Sequence, residues 1–265
     1  MINMKKIVVI TGASSGIGLA CAKLYSKEAF VYNLSRTPSD VEGVTNIQTD
    51  VSDEMSVSNA FKQIEIEKGH IDLLICCAGF GISGALEFTS LQDAKRQLDV
   101  NFFGAFLCSK YALPLLRPAK GRIINISSAA AFFAIPFQGF YSASKAALNA
   151  YTMCLANEVS LFNVSACLVC PGDIKTNFTE NRIKSTDGES IYKNAVNKSV
   201  AVMEKDEQNG MEPATIAAFV HKIADKKKVR PIYTPGMMYK LFYALYKILP
   251  AGAVNKLVGL LYIKK

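Results

Sequence analysis

Six short apolar runs, at 7–10, 30–34, 46–49, 71–77, 122–127 and 164–170, alternate with longer stretches of helical pattern. The runs are apolar throughout, as strands are when both faces of their sheet are covered. Helical patterns occupy 17–28, 54–68, 91–116 and 141–161, and a late run at 230–234 closes the series. Strand, helix, strand in regular succession predicts an α/β fold, a doubly wound parallel sheet. The 265 residues suffice for one large domain, assigned to residues 1–236. Two segments fall outside the alternation. Residues 177–210 are polar and follow a strand end, where such sheets bind ligands, so they are expected to form a mobile lid. Residues 237–265 place Leu241, Leu245, Ile248 and Leu249 on one helical face and Lys240, Tyr243 and Lys247 on another, then break at Pro250-Ala-Gly252.

Charge is unevenly distributed along the chain. The net charge is +8, yet nine Lys or Arg and no acid lie from Lys226 onward, leaving 21 basic against 22 acidic residues before it. A neutral body argues against a nucleic-acid binder, whose positive charge would cover a face. A basic, aromatic-rich tail suits peripheral contact with a membrane or an acidic partner, the alternatives being a solvated helix face or a segment folded over the substrate cleft or into a subunit interface. Seven cysteines in no disulfide spacing and only two histidines, His70 and His221, leave little material for a metal centre or a Ser-His-Asp triad. The two ends of Cys167-Leu-Val-Cys170 point to opposite faces of a strand. Reduced thiols and no evident signal peptide in Met1–Lys6 make the cytoplasm the expected location. The run at 123–144 is free of charge but contains Asn125, Pro136 and Gly139; it reads as strand, loop and helix start, not as a membrane span.

TGASSGIG at 11–18 follows the first strand and opens the first helix. Gly12, Gly16 and Gly18 permit a tight turn and close backbone approach to a pyrophosphate at the helix N-terminus, with Ser14, Ser15 and Ile17 alongside. The spacing is GxxxGxG and not the commoner GxGxxG. At the end of the second strand the chain offers Ser35 and Arg36, with no acid before Asp40. A carboxylate there would repel a ribose 2′-phosphate, whereas Arg36 can pair with it bidentately, so NADP(H) is the expected cofactor.

Tyr141 and Lys145 lie four apart at a helix start, one turn apart on one face. A phenol with a pKa of about 10 is a poor acid–base catalyst near neutrality, and an adjacent ammonium is expected to lower it. Ser128, just after a strand, supplies a hydroxyl for a substrate carbonyl.

These motifs stand in the order and spacing of the short-chain dehydrogenase/reductase family. TGASSGIG, Asp50-Val51, Ala78-Gly79, Asn101 in DVNFFG, Asn125-Ile-Ser-Ser128, YSASK at 141–145 and Pro171-Gly172 with Thr176 carry the resemblance, from about Ile7 to Thr234. It implies a Rossmann-like single domain and the interconversion of a ketone or aldehyde with an alcohol on a hydrophobic substrate. Tyr141 would be the acid or base, Lys145 would lower its pKa and hold the nicotinamide ribose, and Ser128 would bind the carbonyl oxygen. Asn101 would support a water leading protons from Lys145. Asp50 and Val51 would contact adenine, Ala78 and Gly79 would line the cofactor cleft, and Pro171, Gly172, Ile174 and Thr176 would hold the carboxamide end. Relatives commonly pair as dimers or tetramers through the helices at 91–116 and 141–161, and the excess of Phe102, Phe103, Phe106, Leu107, Tyr111, Tyr151, Met153 and Leu155 there fits a homo-oligomer.

Two departures bear on the site. Cys76-Cys77 replaces a usual pair of asparagines that brace neighbouring strands, which predicts a weakened cofactor cleft. Ala-Ala-Ala-Phe-Phe at 129–133 stands where a glycine is common in the family, and Phe80, Phe132, Phe133, Ile135 and Phe137 predict an apolar substrate pocket, part of the set serving as core. Besides a reductase of hydrophobic ketones, the residues admit a 3-oxoacyl-carrier-protein-type reductase, whose acidic carrier the basic tail could receive, a non-catalytic NADPH-binding protein, and a membrane-associated protein with an inherited fold. The intact Ser128, Tyr141 and Lys145 favour an enzyme.

Overall fold

The computed structural model describes residues 5–263; most of Met1–Lys6, and Lys264 and Lys265 of the basic tail, lie outside them. Seven strands form one parallel sheet: β1 (Ile7–Thr11), β2 (Phe30–Ser35), β3 (Val44–Gln48), β4 (Leu73–Cys76), β6 (Arg122–Ile126), β7 (Ser165–Val169) and β9 (Ile232–Tyr233), in the order 3-2-1-4-6-7-9. The short strands β5 (Ile82–Ser83) and β8 (Ile183–Lys184) pair with each other beside it. The order reverses between β1 and β4, so a crevice opens at their C-terminal ends.

Alternate residues of each strand feed two cores. Val9, Leu74, Ile123 and Leu168 face α2 (Glu54–Lys68), α4 (Gly104–Ala119) and α5 (Gly139–Ser160). Val8, Ile75, Ile124 and Val169 face α1 (Gly16–Tyr25) and α8 (Pro213–Ala224). Each fully buried Leu or Ile contributes roughly 1.5–3 kcal/mol, which makes the central strands the rigid floor of the molecule. Cys167 falls in one core and Cys170 in the other, as their spacing on a strand requires. No group of His, Cys, Asp and Glu among the described residues could hold a metal.

Three expectations are corrected. The strand at 46–49 is β3, an edge strand that is largely exposed; with a neighbour on one side only, it has no need of a continuous apolar run. The single helix expected at 91–116 is α3 (Leu91–Leu98) and α4, joined by a turn of π-helix at Asp99–Phe103. That wider turn carries Asn101 inward, a common use of π-bulges at functional sites. Leu107 and Leu155, expected at an oligomer surface, are buried in the core.

The segment at 177–210 is packed in its second half. It contains β8, α6 (Glu189–Tyr192) and α7 (Ala195–Gln208). Val196, Val200 and Met203 bury against Ala85 and Phe137, and Arg182 pairs with Glu207. The tail forms α9 (Met237–Ile248) and α10 (Ala251–Tyr262), separated at Pro250. It folds over the cleft: Tyr243 and Tyr246 meet Phe132, and Phe242 and Tyr246 meet Phe133. No helix among the described residues is long and apolar enough to cross a membrane.

Candidate active site

The first turn of α1 sits at the crevice with Ser15 as its N-cap, no side chain capping it and no acid in the first turn. Its free N–H groups and positive dipole end suit a phosphate. Gly12 and Gly16 have φ of +70° and +55°, which only glycine adopts without cost. A side chain at Gly18 would collide with the Gly12 carbonyl. The loop is held from behind by Asn33 of β2, whose Oδ1 accepts from Ala13 N–H at 3.0 Å and whose Nδ2 donates to Asn46 at 2.8 Å.

Every cofactor residue singled out from sequence lines one cavity, Asn101 excepted. Gly12, Ser14, Ser15, Gly16, Ile17 and Gly18 form its pyrophosphate end, and Arg36, Asp50 and Val51 its adenosine end. Ala78 and Gly79 line the middle with Tyr141 and Lys145; Pro171, Gly172, Ile174 and Thr176 close the far side, and the Thr176 methyl stands over Gly16. Burial opposes ionisation of Asp50, but hydrogen bonds from Ser52 and then the charges of Arg36 and Arg96 hold its carboxyl below the usual range. Arg36 and Arg96 thus bring two cations to the adenosine end. Arg96, 5.2 Å from the Phe80 ring, carried no signal in the sequence because its approach to the adenosine end depends on how its helix packs.

At Cys76-Cys77 the strand end is braced by a hydroxyl of the neighbouring strand. Thr11 Oγ1 accepts from the N–H groups of both Cys77 and Ala78 at 3.0 Å, tying β1 to the end of β4. Cys76 is buried, its thiol pushed up to about 12 by burial, and serves as core.

Tyr141 and Lys145 occupy the first two turns of α5, and Ser128 follows β6 at the head of a short 3-10 turn. Phe178 of the lid segment lies over the Tyr141 ring, 5.4 Å between centroids. Lys145 is 6% exposed; its Nζ donates to the Ile126 carbonyl at 2.9 Å and stands 5.8 Å from the Tyr141 ring centre. Burial draws the Lys145 ammonium down to about 8. The Tyr141 phenol moves opposite to expectation. Burial pushes it up to about 12, against the Ser128 hydroxyl, with Glu207 and Asp173 adding to the rise and Arg182 opposing it. In the unliganded protein burial thus favours the protonated phenol.

Asn101 is buried behind the cavity wall. It accepts from Phe80 N–H at 3.0 Å and donates to the Phe80 carbonyl at 3.0 Å and the Ser144 hydroxyl at 3.1 Å. Gly79 keeps any side chain from standing between Asn101 Oδ1 and Lys145 Nζ. Asn101 so joins β4's exit loop, the π turn and the catalytic helix.

The cavity measures about 1500 Å³, above the 300–1,000 Å³ usual for a ligand pocket. Phe80, Phe133 and Ile135 line it as expected. Phe132 packs against the tail and Phe137 is core, the part of the set that serves structure. Asp173, Asp206 and Glu207 also line it. Burial and then Asp206 push the Asp173 carboxyl up, while the Tyr239 hydroxyl, which donates to it, opposes this. Tyr239 lies flat on Gly172, where a side chain would occupy its ring. Asp173 was legible as an acid beside Pro171-Gly172; Tyr239 carried no signal, because its partner depends on where the tail folds.

The model of the family described as short chain dehydrogenase matches residues 6–187. The chain belongs to the short-chain dehydrogenase/reductase family. It is 43% identical over 227 residues to a 3-ketodihydrosphingosine reductase of Bacteroides thetaiotaomicron, covering 84% of each chain. It is 33% identical to the probable short-chain type dehydrogenase/reductase VdlC of Helicobacter pylori, covering 97% of this chain and 98% of that one. A solved short-chain dehydrogenase from Streptomyces avermitilis shares the fold at 24% identity with a TM-score of 0.84, over 98% of this chain and 97% of that one. ElxO with NADP bound matches at 25% identity and a TM-score of 0.74, over 90% of this chain and all of that one. This short-chain dehydrogenase is accordingly an oxidoreductase of the CH–OH/C=O class with an NAD(P)(H) cofactor, and the glycine cradle and open helix end fit such a dinucleotide.

Proposed function

We propose that this enzyme is an NADPH-dependent reductase of a long-chain 2-amino ketone of the 3-ketodihydrosphingosine type, with Tyr141 as proton donor. The observation that carries the reading is the make-up of the cavity. At one end Asp173 and Glu207 stand close enough to Tyr141 for their charges to oppose its ionisation; at the other, apolar side chains of the tail continue the wall. Glu207 is paired with Arg182, whose charge also reaches Asp173; among the described residues neither Asp173 nor Asp206 forms a salt bridge of its own. An ammonium next to the reacting carbonyl would satisfy those acids, and a long alkyl chain would fill the apolar remainder. The 43% identity to a 3-ketodihydrosphingosine reductase supports the same class.

A nicotinamide cofactor held by Lys145, Ile174 and Thr176 would be the source of the hydride for the carbonyl carbon. Ser128 holds the carbonyl oxygen, and the Tyr141 phenol transfers its proton to that oxygen as negative charge develops there. Lys145 would hold the nicotinamide ribose and, as an ammonium, stabilise the phenolate left behind. Arg36 would pair with the 2′-phosphate and Arg96 would add charge nearby, favouring NADPH over NADH.

Loss of NADPH absorbance tests the assignment on a panel of 3-ketodihydrosphingosine, its N-acetyl derivative, a 3-oxoacyl thioester and a short alkyl ketone. The free amine should react best, with kcat/KM at least about tenfold above its N-acetyl derivative, since a charged hydrogen bond contributes about 1.5–3 kcal/mol. Equal rates for the two would remove the acids from recognition, and preference for the thioester would reassign the substrate.

A further inference from the structure

The tail helices present two apolar faces, of which the wall already described uses one. Tyr239, Phe242, Tyr243 and Tyr246 of α9 turn inward onto Gly172, Phe132 and Phe133. Met237, Leu241 and Ile248, at helical spacing on the same helix, are 84%, 58% and 78% exposed. On α10, Leu257, Leu260 and Leu261 are exposed and also line the catalytic cavity, as Leu245 does on α9. The cavity that begins at the pyrophosphate loop thus ends among leucines open to solvent. Lys240, Lys247 and Lys256 are exposed on the same two helices, which contain no Asp or Glu.

A cavity mouth rimmed by exposed leucine is unfavourable in water and is matched by hydrocarbon. Lysines without acids complement an anionic headgroup layer and would repel a second copy of the same surface. Each helix has 12 residues, too short to span but suited to lying in the interface. We infer that α9 and α10 dock on an anionic lipid bilayer and press the cavity mouth against it, so that a lipid substrate passes from the bilayer to Tyr141 without crossing water. The passage of substrate rests on the proposed function; the docking stands on the tail alone.

The docking is read without turnover, by co-sedimentation of the full chain with phosphatidylcholine vesicles, with and without phosphatidylglycerol. The chain should bind the anionic vesicles at least tenfold more tightly, and salt should weaken that binding. The double variant Leu241→Asp/Ile248→Asp changes two side chains outside the cavity wall. It should lose at least tenfold in vesicle binding while keeping its melting temperature and its kcat/KM on a short, soluble ketone. Lys240→Glu/Lys247→Glu should lose binding to anionic vesicles in the same way. A full chain that ignores anionic vesicles at low salt overturns the proposal, as does a double aspartate variant that binds like the unmodified chain. If the full chain self-associates through this face instead, and that variant releases monomers, the surface is a protein interface and the proposal is equally overturned. A docked chain that turns over no long-chain ketone would leave the docking intact and reject the substrate reading.

Discussion

Lys145 is held as a buried cation whose hydrogen-bond partner in the structure is the Ile126 carbonyl, a position that costs stability in exchange for chemistry. Its pKa falls from 10.5 to about 8 on folding. Between those values the unfolded chain holds a proton that the native chain has released, so this group makes stability rise with pH across that window. Below about pH 8 the full burial cost is present. Lys145→Met should therefore raise the stability of the unliganded protein at pH 7, by on the order of 2 kcal/mol, while abolishing turnover. The gain should shrink as pH rises from 8 toward 10.5, followed as the difference in melting temperature between variant and unmodified protein. A difference independent of pH would contradict this. At the adenosine end, Arg36→Asp exchanges attraction for repulsion at the 2′-phosphate. The NADPH-to-NADH ratio of kcat/KM should fall by about tenfold to a hundredfold. Comparable efficiencies with the two cofactors in the unmodified protein would reject the role of Arg36. These residues were legible in the sequence because spacing fixes them: four residues on a helix put Lys145 beside Tyr141, and a strand end puts Arg36 at the crevice. The upward shift of the phenol was not legible, since it comes from burial beneath Phe178 and from Glu207 and Asp173, which lie far from Tyr141 in sequence.

The helix at 54–68 was legible from its pattern; as α2 it is capped by Asp53, which accepts from Ser56 N–H at 2.9 Å, and ended by Gly69, with φ of +74°. The π turn at Asp99–Phe103 was not legible, because DVNFF continues an apolar helical pattern without a break. What selects the wider turn is the set of bonds made by Asn101, to Phe80 and to Ser144. Asn101→Ala would strand the Phe80 N–H in a buried setting, and should cost about 2–4 kcal/mol of unfolding free energy in denaturant titration. It should also lower turnover, because the turn joins the cavity wall to the catalytic helix. A variant as stable as the unmodified chain would mean that helix packing alone sets the turn.

At the scale of the whole molecule, the strand order follows from alternation and short connections, which leave few arrangements open to a parallel sheet. The position of the tail does not, since an amphipathic helix fits a membrane, a cleft or a partner equally well by composition. The helices α4 and α5 raise the same question on another face. Phe102, Phe103, Phe106 and Tyr151 form a half-exposed aromatic cluster, with Met153 exposed nearby on α5. We propose that this face pairs two chains, so that light scattering at micromolar concentration should give at least a dimer, and Phe103→Glu/Met153→Glu a monomer. A monomeric unmodified chain would count against it.

The central claim is that Tyr141 delivers the proton in reduction of a carbonyl held by Ser128. Tyr141→Phe keeps the ring under Phe178 and deletes only the hydroxyl, which separates chemistry from binding. The decisive measurement is single-turnover oxidation of bound NADPH by 3-ketodihydrosphingosine in Tyr141→Phe and in the unmodified enzyme, with NADPH affinity measured alongside. The account predicts a rate lower by at least about a hundredfold, the size of a general-acid contribution, with NADPH affinity little changed. A variant that keeps a tenth or more of the unmodified rate would contradict it.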